Sequence, residues 1–229
     1  MNARLPGYVS DIRPYCREDR TAVEAICIAT GLRGKLDEIF CDRPLFARLW
    51  LSVYLESQPE NALVVRDDSG KIVGYLAGYI GPGYRWSAVR YNLPHLCVLL
   101  GRALTGRYRS HPPSLHFVRW LLLCSWRECP PTPEDAPAHF HFNLLPEARG
   151  IAGIELRSEF ERKTRKAGLP GWFAIIFSAP PHRNRDLFTR RYGLRVQEMR
   201  RCSLFSDETY IVLMKRLFDD MGEETADEE

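Results

Sequence analysis

Apolar residues recur along the chain with two spacings, one near 3.6 residues that belongs to helices and one of 2 that belongs to strands. Residues 8–15 alternate as a short strand. Residues 17–30 then place Ala22, Val23, Ile26, Cys27 and Thr30 on one helical face, with Gly31 as a stop, and residues 44–55 repeat the pattern through Leu45, Leu49, Trp50 and Val53. Two strand runs, 62–66 and 71–80, are separated by Asp67, Asp68, Ser69 and Gly70, a turn composition that predicts an antiparallel hairpin. Over 84–137 the pattern predicts two apolar helices, 93–105 and 114–127, followed by a stiff connector at Pro130, Pro131 and Pro133.

Residues 138–145 alternate His139, His141 and Asn143 with Phe140, Phe142 and Leu144, a strand with one apolar face. A helix over 150–167 carries the stripe Gly153, Leu156, Phe160, Thr164 and Ala167, has Lys163, Arg165 and Lys166 in its last turn, and stops at Gly168 and Pro170. Residues 172–177 read as a buried strand, 184–192 as a short basic helix ended by Gly193, and 196–204 with 209–217 as a closing hairpin. No internal repeat and no second core are visible. The expectation is a mixed α/β fold in one domain over 1–218, with a helical insertion at 84–137 before the fourth strand.

Composition is that of a globular protein, 45% hydrophobic and 27% charged over 229 residues, which excludes global disorder and a disulfide-stapled miniprotein. The formal charge of +3 conceals an asymmetry: between Ser69 and Arg127 there is no Asp or Glu, but there are eight Lys and Arg. Residues 219–229 hold seven acids and no base, the pattern of a solvated, disordered tail. The N-terminal residues lack the apolar stretch of a signal peptide, and the longest apolar runs are about a dozen residues, too short to span a bilayer. Seven scattered cysteines fit a reducing, cytoplasmic setting. Cys124, Cys129, His139 and His141 match no compact zinc spacing, so no metal is expected. The arginines of the insertion are spread through apolar helices without a nucleic-acid module, so no nucleic-acid partner is expected either.

The element order, with the segments IRPYCREDRTAVEAICIATG (12–31), ALVVRDDSGKIVGYLAGYI (62–80), PAHFHFNLLPEARG (137–150) and KAGLPG (166–171), resembles the GNAT superfamily of N-acetyltransferases. Within it the chain is most similar to a bacterial branch related to the acetyltransferase-like domain of O-GlcNAcases. The resemblance implies a central, mostly antiparallel sheet with helices on both faces. It also implies acetyl-CoA as co-substrate and a small-molecule or peptide amine as acceptor, and a homodimer is compatible with it.

A strand running through a glycine-containing turn into a helix start offers backbone N–H groups and the positive end of a helix dipole to an anion. In the superfamily this loop holds the pyrophosphate of the donor, which assigns that role here to Arg149, Gly150, Ile151, Ala152, Gly153 and Ile154. The pantetheine arm adds to the edge of the fourth strand, which assigns Asn143, Leu144 and Leu145 to it, with a backbone N–H near Leu144 or Leu145 at the oxyanion. Asn143 stands where close relatives carry Asp. In the last motif, HRNRDLFTRRYGL (182–194), Phe188 matches the donor-binding Phe. Thr189 stands at the position of the Tyr that protonates the thiolate, and Tyr192 lies three residues further along. His141 is a candidate base. The departures at Ala152, Ile154, Asn143 and Thr189 leave one alternative, a non-catalytic module that keeps the fold and has lost the donor site.

Overall fold

The computed structural model describes residues 11–148 and 151–218. In chain order, β1 (Asp11–Pro14) leads into α1 (Arg20–Gly34), α2 (Leu36–Ile39) and α3 (Arg43–Leu55), then β2 (Ala62–Arg66) and β3 (Ile72–Tyr79). The insertion contributes α4 (Tyr84–Leu104), α5 (Pro112–Arg119), a π-helical turn over Trp120–Cys124 and α6 (Ser125–Glu128). The chain closes with β4 (Ala138–Leu144), α7 (Ile151–Lys166), β5 (Gly171–Ser178), α8 (Arg183–Tyr192), β6 (Arg195–Arg201) and β7 (Tyr210–Leu217). The seven strands form one sheet in the order β1-β2-β3-β4-β5-β7-β6, antiparallel at every junction except β4 with β5.

The hairpin expected around Asp67 to Gly70 forms for the reason its composition gives. The Asp67 carboxylate accepts from the backbone N–H of Ser69 and Lys71, and Gly70 takes the left-handed conformation at φ 81°. α1 carries Val23, Ile26 and Cys27 into the core as its periodicity predicts, and its backbone leaves helical geometry at Gly31.

The sheet separates two cores. On one face α1, α3 and the insertion helices pack over Tyr75, Ala77 and Tyr79 of β3, with Phe40, Phe46 and Phe117 among the fully buried rings. On the other, Leu156 and Phe160 of α7 pack over Phe140, Trp172, Ala174 and Val212. The close seat of α7 depends on Gly78: a Cβ there would lie 2.7 Å from the Phe160 ring. Leu156, Phe160 and Thr164 of the predicted stripe are buried, while Ala167 is exposed just past the helix end.

The insertion departs most from the sequence reading. α4 starts at Tyr84 instead of Leu93 and continues through Pro94. A proline there removes one intrahelical hydrogen bond, and burial of Leu99 together with packing of Tyr84, Ala88, Leu96 and Ala103 on the core holds the helix through it. The second expected helix divides into α5, the π turn and α6, where the Ser125 hydroxyl donates to Leu121 O at 2.6 Å and the Trp120 indole donates to Glu128 at 2.7 Å. Residues 8–10 of the expected first strand and the acidic segment 219–229 lie outside the described residues.

Candidate functional site

β4 and β5 are hydrogen-bonded only at their beginnings, through the parallel pairs Ala138↔Trp172 and His139↔Phe173. β4 nevertheless pairs with β3 as far as Gly74↔Leu144, and β5 with β7 as far as Ser178↔Tyr210, so both strands continue while the space between them widens. Which backbone groups face that space follows from parity. The Leu145 N–H donates to Val73 O at 2.9 Å, so Asn143 and His141 also address β3, and Phe142 and Leu144 turn their N–H and C=O toward β5. On the far side the Phe218 N–H donates to Pro170 O, which commits the even-numbered residues of β5 to β7 and turns Ile175 and Phe177 inward. The Phe177 carbonyl is taken by the Asn184 amide at 2.5 Å. The gap thus presents a row of backbone donors and acceptors that an extended, amide-bearing ligand satisfies as an added strand would. Because Leu145 spends its N–H on Val73, it has none to offer the gap, and Phe142 and Leu144 are the residues on this part of β4 whose N–H groups face it.

Past the open end of β4 a short 3-10 turn over Pro146–Ala148 leads toward α7, whose first turn leaves backbone N–H groups without intrahelical partners. Ala152 and Gly153 are buried in that first turn and Ile154 is half-buried. Arg149 and Gly150, expected at the pyrophosphate, lie outside the described residues. Gly153 is the pivot of this end: a Cβ there would lie 2.8 Å from the Tyr192 hydroxyl, 3.3 Å from Leu144 and 3.9 Å from Phe142. β4, α7 and α8 therefore meet at one point.

α8 adds Phe188 and Tyr192 to this meeting. Their rings lie 5.2 Å apart and each packs against Phe142, at 5.9 and 6.4 Å. Burial raises the Tyr192 pKa, which keeps the phenol protonated at neutral pH. Thr189, a helical neighbour of Tyr192, is exposed, and its hydroxyl donates to Arg185 O of its own helix at 3.2 Å.

The opposite face of β4 carries a buried polar network in which Tyr54, Tyr75 and Tyr84 join the strand's histidines. The Tyr54 hydroxyl lies 2.7 Å from His139 Nδ1 and 2.9 Å from the Tyr84 hydroxyl. Tyr75 accepts from the Asn143 amide at 2.8 Å and lies 3.0 Å from His141 Nδ1. In the tautomer whose Nδ1–H donates to Tyr75, His141 keeps Nε2 as an open lone pair. Burial pushes His141 down to about 4 and His139, with the added effect of His141, down to about 3, so both are neutral at pH 7. The Cys27 thiol is pushed up to about 12 by burial and is no nucleophile. His139 Nε2 is buried with no partner.

Neutral burial of His139 has a sign that can be measured. In the unfolded chain it titrates near 6.5; in the fold it titrates near 3. Its contribution to stability is complete above pH 6.5 and is lost as pH falls toward 3, at up to about 1.4 kcal/mol per unit. In denaturant titrations from pH 6.5 to 4.5, His139→Gln is expected to flatten the fall in stability by that amount, and an unchanged slope would contradict the assignment.

The expected site residues thus fall on two sides of one gap. Leu144, Gly153, Phe188 and Tyr192 converge on the α7 side, and His141 and Asn143 lie on the α3 side. The sequence reading missed Tyr54, Tyr75, Tyr84 and Asn184. Tyr75 sits directly opposite Asn143 in the β3–β4 register, a signal that depends on pairing two strands across the whole insertion. Among the described residues no group of three or more His, Cys, Asp or Glu is placed to hold a metal ion. A separate cleft of about 410 Å³, lined by Asp42, Arg48, His95 and Arg102, lies between α3 and α4 and does not touch β4.

No family model matches the chain, and no curated protein matches it. Among solved structures it is similar to SsHAT, at 21% identity with a TM-score of 0.56, over 90% of this chain and 97% of that one. It is also similar to the C-terminal condensation domain of Ebony in complex with beta-alanyl-dopamine, at 14% identity with a TM-score of 0.54, over 92% of this chain and all of that one. A third likeness, at 12% identity with a TM-score of 0.50, is to a GCN5-related N-acetyltransferase from Kribbella flavida, over 90% of this chain and 96% of that one. At these identities the likeness is one of fold, and the fold is that of the GNAT acetyltransferases. Nothing in these neighbours singles out the O-GlcNAcase-related branch.

Proposed function

We propose that the chain is an acyl-CoA-dependent N-acyltransferase that moves an acetyl group from acetyl-CoA to the nitrogen of an amine. The observation that supports this most is the parting of β4 and β5 just past His139↔Phe173, with the N-terminus of α7 at its mouth. The pantetheine amides would bond to the free edge at Phe142 and Leu144, and the pyrophosphate would lie on the first turn of α7 with Arg149 and Gly150.

In the reaction the amine lone pair attacks the thioester carbonyl carbon, a C–N bond forms, and the oxygen gains a negative charge that an N–H of Phe142 or Leu144 holds. Collapse breaks the C–S bond. The proton on the new amide nitrogen is acidic enough in the tetrahedral intermediate for a weak base to take it, which suits a His141 of pKa about 4 that could not deprotonate an ammonium ion. Tyr192 protonates the departing thiolate from the opposite face and regains a proton from solvent. Over the cycle the amine proton ends on the CoA thiol.

Two expectations follow from this division of labour. Because His141 stays neutral throughout the accessible range and only the free amine reacts, kcat/KM is expected to rise with pH up to the pKa of the acceptor amine, with an inflection that moves with that pKa and none near 6.5; a histidine-like inflection that is unchanged between acceptors of different pKa would contradict the role. None of the side chains in the Tyr54–Tyr75–Tyr84–His139–His141–Asn143 network is a carboxylate, and the insertion that supplies Tyr84 has no acid before Glu128. Neutral or anionic amines are therefore expected to be better acceptors than polycationic peptides. A screen following transfer of labelled acetyl tests the proposal, with label preferred over thiol-reactive dyes because the chain has seven cysteines. Polylysine-type peptides emerging as best acceptors would overturn the acceptor class, and no transfer to any amine would overturn the activity.

A further inference from the structure

α4 is apolar on two sides. Tyr84, Ala88, Leu96 and Ala103 pack on the core and Leu99 is fully buried in it. Facing away are Trp86, Val89, Leu93, Cys97, Leu100 and Leu104, all exposed, with Trp86 at 80% and Leu104 at 75%. At about 100° per residue these six fall within roughly 80° of arc, and at about 1.5 Å per residue they make a stripe roughly 27 Å long. Single exposed apolar residues need no explanation, but a continuous stripe of this length on a helix marks a surface that is normally covered.

The charges around the stripe decide what covers it. Arg85 and Arg90 are exposed at its start and Arg107 and Arg109 just past its end, and none of the four makes an ion pair among the described residues. No Asp or Glu occurs anywhere between Ser69 and Arg127. A second copy of the chain laid on the stripe would set arginine against arginine whether the helices ran parallel or antiparallel, with no carboxylate on either helix to separate them. Nucleic acid satisfies the arginines and leaves the Leu and Trp side chains unused. An anionic bilayer surface satisfies both: the acyl boundary takes the apolar stripe, the interface suits Trp86, and the headgroups take the flanking arginines. No helix among the described residues is long and apolar enough to cross a membrane, so the contact is one that lies on the surface.

We propose that the outward face of α4 seats this protein on anionic phospholipid bilayers as a peripheral interfacial helix. The reading is independent of the acyltransferase proposal, since it rests on the stripe and its charges and not on the gap between β4 and β5. Tyr84, the first residue of α4, also touches the polar network through Tyr54, so the seat would hold the acceptor side of the gap near the lipid surface.

The test is co-sedimentation of the full chain with vesicles of phosphatidylglycerol and phosphatidylcholine against vesicles of phosphatidylcholine alone. Binding is expected to grow with the anionic fraction and to weaken about tenfold or more between low and high salt. The double variant Leu93→Glu with Leu100→Glu is expected to lose binding about tenfold or more while melting as the parent does, since both positions are exposed. Arg85→Gln with Arg90→Gln should weaken only the anionic component. No binding to either vesicle, or binding unchanged by the double Glu variant, would overturn the proposal. So would a dimer in sedimentation velocity that the same variant dissociates, which would make a second copy the occupant, or preferential binding to nucleic acid.

Discussion

Gly153→Glu abolishes acetyl-CoA binding in calorimetry, by about a hundredfold or more, if the first turn of α7 is the donor's anion site. That corresponds to about 2.7 kcal/mol or more. Two effects add. The new Cβ enters a space where the Tyr192 hydroxyl lies at 2.8 Å and Leu144 at 3.3 Å, and the carboxylate brings its own negative charge to the helix dipole that would hold the phosphates. Because Gly153 is buried against Tyr192, Leu144 and Phe142, the Glu side chain also presses on that packing, and the binding result is read with the variant's melting and helical content measured beside the parent's. Gly153→Ala separates the effects, since it adds the Cβ without the charge; its affinity should fall between those of the parent and the Glu variant. Parent-like affinity in Gly153→Glu would move the ligand away from α7.

Tyr192→Phe is expected to lower single-turnover transfer by about 10–100-fold with donor affinity nearly unchanged, the signature of a lost proton donor. Its phenol meets α7 at Gly153 and packs with Phe188 against Phe142, the strand residue whose N–H faces the gap. Thr189→Val should leave the rate as it is, because the Thr189 hydroxyl is exposed and bonded to its own helix. For the same reason Thr189→Tyr should add no activity, since the new phenol starts from an exposed position while Tyr192 already occupies the buried place beside Gly153. Equal rates in the parent and Tyr192→Phe would leave release of the thiolate to water.

Local chemistry made much of the fold legible. The Asp67–Gly70 turn, the alternation of β4 and the Gly193 stop after α8, where φ is 64°, are each written in a few neighbouring residues, and the structure repeats them. The insertion was less legible because its decisive interactions are tertiary. The helix expected from 93 holds Pro94 in its first turn, where a proline costs nothing, and it is the packing of Tyr84, Ala88 and Leu99 on the core that extends α4 back through it to Tyr84. The site divides the same way. Residues on β4, α7 and α8 could be named from motif spacing, whereas Tyr54 and Tyr75 reach His139 and His141 from elements 85 and 66 residues away in sequence. The parity that frees Leu144 and commits Leu145 is set by the β3–β4 register, which no local pattern encodes.

That parity also makes the central claim testable residue by residue. In amide NMR of the full chain, addition of acetyl-CoA is expected to shift and protect the N–H groups of Phe142 and Leu144, which face the gap. Leu145 should keep the protection it already has from Val73 O. Saturable changes confined to the β4 and β5 edges and the first turn of α7 are the predicted result. No change at Phe142 and Leu144 with millimolar acetyl-CoA would contradict the account and leave a GNAT fold that binds no donor.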